Sequence, residues 1–293
     1  MIVRPALLLH FEDETDQAAR IAAAAGIPTA CISRHRFPDG ELKLRLPEAL
    51  PPRIALLRSL AQPNEKLVEL LLVARTARTL GATQLTLIAP YLAYMRQDMA
   101  FAPGEAVSQR IVGSLLADLF DAVITVDPHL HRIQRLEEAV PVPRAVVLSG
   151  APLLADLIVQ RRPQALLIGP DEESAQWIAQ AAARHGFDHG VCRKVRYGDR
   201  HVEIALPAID VRQRQVVLLD DMASSGHTLA QAARGLLAAG AASVDVAVTH
   251  ALFAHDAGRL LWDAGIREVW STDCISHPSN AVNMAPALAA ALQ

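Results

Sequence analysis

Residues 216–229 read VVLLDDMASSGHTL: an aliphatic run drives straight into two adjacent carboxylates, Asp220 and Asp221, and small polar residues follow at once. Val216 to Leu219 have the apolar pattern of a strand buried on both faces, and Ser224 to Thr228 form a turn that opens the helix TLAQAARGLLAAG. In such a turn the backbone N–H groups and the positive helix end converge on one spot, and the hydroxyls of Ser224, Ser225 and Thr228 add donors. That spot suits a phosphate monoester. Two carboxylates beside it would repel phosphate, so they must face neutral hydroxyls or a divalent cation. A sugar with a phosphate at one end and a cis-diol at the other satisfies both halves. A capping Ser or Thr preceded by solvated acids is the plainer alternative. The apolar strand that abuts both acids favours the ligand.

Such a site needs a scaffold, and the rest of the chain supplies one. Short aliphatic runs (ALLL, RIALLRS, LTLIAP, AVITVD, ALLIGPD, VVLLDD, VDVAVTH) alternate with longer Ala- and Leu-rich amphipathic stretches, which predicts an α/β protein with mainly parallel sheets flanked by helices. Ligands bind such sheets at the carboxyl ends of their strands. Polar residues recur at those ends: Asp127-Pro128-His129, Asp171-Glu172-Glu173, Asp220-Asp221 and Thr249-His250. LGATQLTLIAPYLAY (80–94) and AGAASVDVAVTHALF (239–253) share one pattern, a helix end, Gly-Ala, then a strand with a polar terminus, so two similar domains are expected. The proline-bearing PVPRAVVLSGAP (141–152) puts the divide near 143, giving domains of 1–143 and 144–293.

Composition narrows the partners. The 293 residues are 52% hydrophobic with a formal net charge of −3, so no global field would hold nucleic acid and any phosphate binding must be local. The three cysteines, 31, 192 and 274, are odd in number and widely spaced, which fits neither a disulfide framework nor a paired-Cys zinc site. A reducing, cytoplasmic setting is expected. The opening MIVRPALLLHFEDE reads as a first strand rather than a signal peptide, and no segment reaches the ~18 uninterrupted apolar residues of a membrane span.

VVLLDDMASSGHT resembles the ribose-5-phosphate motif of phosphoribosyltransferase-fold proteins, and further segments resemble the ribose-phosphate pyrophosphokinase family nearly end to end. FPDGELKLRLP (37–47) is similar to that family's Phe-x-Asp-Gly-Glu segment and APYLAYMRQDMAF (89–101) to its Arg-Gln-Asp segment. VITVDPHLHRIQ (123–134) matches its Val-Asp-x-His segment, IGPDEES (168–174) its Pro-Asp-x-Gly-Gly turn, and CRKVRYGDRHVEI (192–204) its catalytic loop. Pro207-Ala208-Ile209-Asp210-Val211 echoes the archaeal-type branch. The resemblance implies two phosphoribosyltransferase-type domains and transfer of pyrophosphate from ATP to ribose 5-phosphate. By the same resemblance, Phe37, Asp39, Glu41, Arg96, Gln97, Asp98 and His129 take ATP, and His129 and Asp171 take Mg2+. Asp220, Asp221, Ser224, Ser225, Gly226, His227 and Thr228 take the sugar phosphate, and Lys194 and Arg196 are the catalytic cations. It also implies a homo-oligomer, dimer or hexamer, in which the Phe37 segment serves a neighbouring subunit.

Three departures fall in the site. His227 stands where the family has a second Gly, which makes φ > 0 harder to reach; Glu173 and Ser174 replace the glycines of the Pro-Asp-x-Gly-Gly turn; and MAFAPG (99–104) lacks the basic residues that often follow Arg-Gln-Asp. They raise two alternatives: a non-catalytic or regulatory paralogue, or a phosphoribosyltransferase or related sugar-phosphate enzyme.

Overall fold

A computed structural model of the chain describes residues 2–130, 132–197, 201–254 and 256–293, of which 194–197 and 201–203 are described by their backbone alone. The chain forms two compact units, Met1–Leu148 with Met284–Gln293, and Ser149–Asn283.

In the first unit the elements run β1 (Leu7–Phe11), α1 (Thr15–Ala25), β2 (Thr29–Arg36), β3 (Leu42–Arg45), β4 (Arg53–Leu57), α2 (Pro63–Thr79), β5 (Gln84–Ala89), α3 (Ser108–Leu119), β6 (Ala122–Val126), α4 (Leu136–Ala139) and β7 (Arg144–Leu148). Its sheet has the order β3-β2-β1-β4-β5-β6-β7. Only β3 runs antiparallel, against β2; every other pair is parallel. β7 hydrogen-bonds to β6 along its whole length, from Ala122↔Arg144 to Val126↔Leu148. The divide therefore lies at 148/149 rather than near 143.

The second unit contains α5 (Ala151–Arg161), β8 (Leu166–Gly169), α6 (Ala175–His185), β9 (His189–Val191), β10 (Arg193–Tyr197), β11 (His201–Ala205), β12 (Gln215–Ala223), α7 (His227–Ala238), β13 (Ser243–Ala251), α8 (Ala257–Asp263), β14 (Ile266–Thr272) and β15 (Asn280–Val282). Its six-stranded parallel sheet has the order β15-β14-β13-β12-β8-β9, and β10 and β11 form a separate antiparallel hairpin. The last helix, α9 (Ala285–Ala290), packs on α1 and so returns the chain end to the first unit.

The period of two along β12 explains how that strand is fixed. Val216 and Leu218 pack toward Leu229, Ala233 and Leu236 of α7, whereas Val217 and Leu219 pack toward Leu154 and Ile158 of α5 and Ile178 of α6. All four strand side chains are fully buried, each worth about 1.5–3 kcal/mol of transfer free energy. The end of β12 is thereby held rigidly between two helical layers.

Each sheet has one place where neighbouring strands send their connections in opposite directions: between β1 and β4 in the first unit, and between β8 and β12 in the second. Such switch points leave a crevice at the carboxyl ends of the two strands. In the first unit, charge fills it. Arg58, 1% exposed at the end of β4, donates through Nε to Glu69 Oε2 at 2.7 Å and through Nη1 to Asp13 Oδ2 at 2.8 Å and Glu14 Oε2 at 3.2 Å. Ser59 N donates to Glu14 Oε1 at 2.6 Å, and the Arg58 guanidinium lies 4.6 Å from the centre of the Phe11 ring. Removing one partner from such a buried set leaves an uncompensated charge. Glu69→Ala is expected to cost about 3–5 kcal/mol, read as a lowered urea midpoint, and a loss below about 1 kcal/mol would contradict this.

Candidate ribose-phosphate and nucleotide sites

In the second unit the switch point is lined with acids. β8 delivers Asp171 two residues after Gly169, and β12 delivers Asp220 and Asp221. The strand runs to Ala223, four residues past Leu219, so both acids are strand residues rather than the start of the loop. Asp171 is 8% and Asp221 2% exposed. Asp220 is half-buried. Burial, then the Asp221 carboxylate, then that of Asp171 raise Asp220 well above the ordinary carboxylate range. Asp171 and Asp221 are therefore not solvated acids ahead of a capped helix.

Above the acids, Gly226 takes φ +75° and α7 begins at His227. The left-handed position falls on glycine, and His227, an exposed first helical residue, has no need of it. The steric objection to His227 is thereby removed. No side chain caps the helix at Gly226, so no capping side chain takes up the first-turn N–H groups of α7. The loop is tied down from the neighbouring strand end: Phe253 N donates to Ala223 O at 2.9 Å, and Ala254 N donates to Ser224 O at 3.0 Å. Ser224 and Thr228 are half-buried and Ser225 is exposed.

Glu173 and Ser174 also fit their places. Glu173 is exposed on a single 3-10 turn, and its backbone N–H donates to Asp171 Oδ1 at 3.1 Å, fixing that carboxylate. Ser174 is fully buried and its hydroxyl donates to Asp171 O at 2.5 Å. Its bulk is admitted because Gly169 has no Cβ, which would stand 2.1 Å from Ser174 Oγ. Cys192 is also close: burial first and Asp171 second push its thiol up to about 12, which leaves it inert as a nucleophile.

Lys194 and Arg196 lie on β10, paired in register with Ile204 and Val202. The stretch expected as a polar loop is thus a hairpin, with the two side chains and residues 198–200 outside the described residues.

The nucleotide candidates lie in the first unit. Arg96, Gln97 and Asp98 sit in the irregular 90–107 connection between β5 and α3, not at a helix start. Gln97 Nε2 donates to Met99 O at 3.1 Å, and Gln109 Nε2 donates to Met95 O at 3.0 Å. Asp98 is 9% exposed and accepts from Arg132 Nη1 at 2.6 Å. His129, half-buried, follows β6 after Asp127, whose φ of +36° is a strained turn for a non-glycine residue. Phe37, Asp39 and Glu41 form the exposed tip of the β2–β3 hairpin, closed by Phe37 N donating to Glu41 O at 2.8 Å and Glu41 N donating to Asp39 Oδ1 at 3.2 Å. The start of α2 serves both regions: Arg36 pairs with Glu65, and the Tyr94 hydroxyl donates to Asn64 Oδ1.

Residues 6–119 match the model of the N-terminal domain of ribose phosphate pyrophosphokinase, and residues 145–287 match that of the phosphoribosyl transferase domain. A ribose-phosphate pyrophosphokinase of Methanopyrus kandleri is 35% identical over 277 residues, 94% of each chain. The chain belongs to the ribose-phosphate pyrophosphokinase family. A second ribose-phosphate pyrophosphokinase, from Halobacterium salinarum, is 32% identical and covers 98% of this chain and 100% of its own. The phosphoribosylpyrophosphate synthetase structure from Mycobacterium smegmatis superposes with a TM-score of 0.84 over 98% of this chain and 97% of that one, at 24% identity, which supports the fold. Among the described residues no helix is long and apolar enough to cross a membrane. Sequence reasoning missed the pairings of Arg58, one residue past β4, and of Arg132, six residues past β6 in the loop that carries His129.

Because Asp220 is raised, the folded chain holds a proton there that the unfolded chain has released. This lowers stability as pH rises from the ordinary carboxylate range toward the raised value. With EDTA and no sugar phosphate, Asp220→Asn is expected to raise the melting temperature at pH 7, by an amount that shrinks as the pH is taken toward about 4. A lowered melting temperature at both ends would contradict it. Gly226→Ala forces a side chain into φ +75° and to 3.3 Å from Leu261 Cδ2, at a cost of about 1–2 kcal/mol in thermal or urea unfolding. Unchanged stability would show that the left-handed cap is not needed.

Proposed function

We propose that the chain transfers the β,γ-pyrophosphoryl group of ATP to the 1-hydroxyl of ribose 5-phosphate, giving phosphoribosyl pyrophosphate and AMP. The observation that carries this is the second unit's switch point, where three acids stand beneath a helix N-terminus left without a side-chain cap. Asp220 and Asp221 accept hydrogen bonds from the ribose diol. Ser224, Ser225, Gly226, His227 and Thr228 wrap the 5-phosphate. The ribose O1–Pβ bond forms as the bond from Pβ to the α,β-bridging oxygen breaks, and the 1-hydroxyl proton is released. Lys194 and Arg196 meet the charge that develops on the migrating oxygens and on departing AMP.

ATP is assigned to Arg96, Gln97, Asp98 and His129, with Phe37, Asp39 and Glu41 contributed across a homo-oligomer of two or six subunits. The exposed hairpin tip supports that last role, since it presents an aromatic ring and two acids outward. By the family resemblance, His129 in the first unit and Asp171 in the second are each candidate Mg2+-side residues. Mg2+ in such enzymes is commonly held by one or two side chains, waters and substrate phosphates rather than by an all-protein cage. When bound, it would neutralise phosphate charge during transfer.

Incubation with ATP, Mg2+ and ribose 5-phosphate is expected to release AMP and phosphoribosyl pyrophosphate in equal amounts. Base-dependent consumption of phosphoribosyl pyrophosphate without AMP release would instead identify a transferase. Lys194→Ala is expected to lower kcat by about 100-fold or more while changing the ATP dissociation constant by less than about threefold. Equal losses in both would remove Lys194 from the transition state.

A further inference from the structure

We infer that Arg132 is a positioning residue for the nucleotide, acting through Asp98 to lock the loop that carries Arg96 and Gln97 against the loop that carries His129. The inference rests on the reading of those loops as the ATP site. β5 and β6 are adjacent and parallel, with Ala89 opposite Thr125, so their carboxyl-end loops emerge side by side. Val126 N donates to Pro90 O at 3.2 Å where the loops begin. Beyond that point the 90–107 loop is irregular and needs its own anchors.

Two anchors bracket Arg96 and Gln97. On one side, the first turn of α3 holds the loop: Gln109 Nε2 donates to Met95 O at 3.0 Å, and Gln109 N donates to Gln97 O at 3.2 Å. On the other side, Arg132 reaches from the β6–α4 loop, three residues after His129, and donates to Asp98 Oδ1 at 2.6 Å. The Asp98 side chain is 2% exposed and that of Arg132 is 54% exposed, so a solvent-facing cation holds a buried carboxylate in place. Asp98 Oδ2 has no hydrogen-bond partner among the described residues. Without Arg132 the carboxylate would be buried and unpaired, and the loop would have to move to rehydrate it. The Arg132 guanidinium also lies 5.9 Å from the Phe101 ring centre, a second contact to the same loop.

Calorimetric titration of the full chain with Mg·ATP, alongside steady-state kinetics, tests this. Arg132→Ala is expected to weaken Mg·ATP binding and raise KM for ATP by about tenfold, with KM for ribose 5-phosphate unchanged and kcat altered by less than about threefold. Arg132→Lys is expected to recover part of the loss. Adding Asp98→Asn to Arg132→Ala is expected to weaken binding by clearly less than the two single losses combined, because the two residues share one contact. If Arg132→Ala does not fold, Arg132→Lys and Asp98→Asn carry the comparison, each with weakened Mg·ATP binding expected. Unchanged Mg·ATP binding in the variants, additive losses, or no Mg·ATP binding by the wild-type chain would each overturn the inference. If the wild-type chain binds Mg·ATP but makes no phosphoribosyl pyrophosphate, the proposed reaction fails while the titration still decides the role of Arg132.

Discussion

Carboxylates enclosed together repel one another, and the second unit holds Asp171, Asp220 and Asp221 around one crevice despite that repulsion. The burial of β12 between α7 on one face and α5 and α6 on the other supplies the rigidity that keeps them there. Such an arrangement is poor for stability and good for binding, since hydroxyl donors or a cation relieve what the protein alone leaves strained. The first unit shows the alternative at the equivalent crevice. There Arg58 occupies the space itself, satisfied by Glu69, Asp13 and Glu14, so the crevice is closed by its own ion pairs. One fold, used twice, thus gives a filled crevice in one unit and an acid-lined one in the other.

The proposed phosphate end follows from the same strand. β12 stops at Ala223, Gly226 turns through the left-handed region, and α7 starts at His227 without a side-chain cap. Hydrogen bonds from Phe253 and Ala254 fix the loop from the next strand over. The spacing between the acids and the start of α7 is therefore set by two elements of regular structure and a short tied loop, which suits the proposed sugar phosphate.

Much of this was legible in the sequence. Aliphatic runs alternating with amphipathic stretches specified parallel strands and helices because burial on both faces leaves no other pattern, and Val216 to Leu219 are buried as their composition demands. The length of β12 was not legible: two adjacent acids read as a strand end, yet β13 pairs with the strand through Ala223. Nor was the identity of the left-handed residue, since a one-position shift of the helix start moved that requirement from His227 to Gly226. The return of α9 to the first unit and the pairing of Arg132 with Asp98 depend on contacts distant in sequence, which local patterns do not encode. Ser174 could be understood only beside Gly169, the neighbour that makes room for it.

The central claim is that the β8–β12 crevice reads a diol and a phosphate at once. Calorimetric titration of the intact protein with ribose 5-phosphate and with 2-deoxyribose 5-phosphate separates the two halves directly. The account predicts that ribose 5-phosphate binds and that loss of the 2-hydroxyl weakens binding by about tenfold or more, as expected when a buried carboxylate is left without its donor. Equal affinity for the two sugars would contradict it.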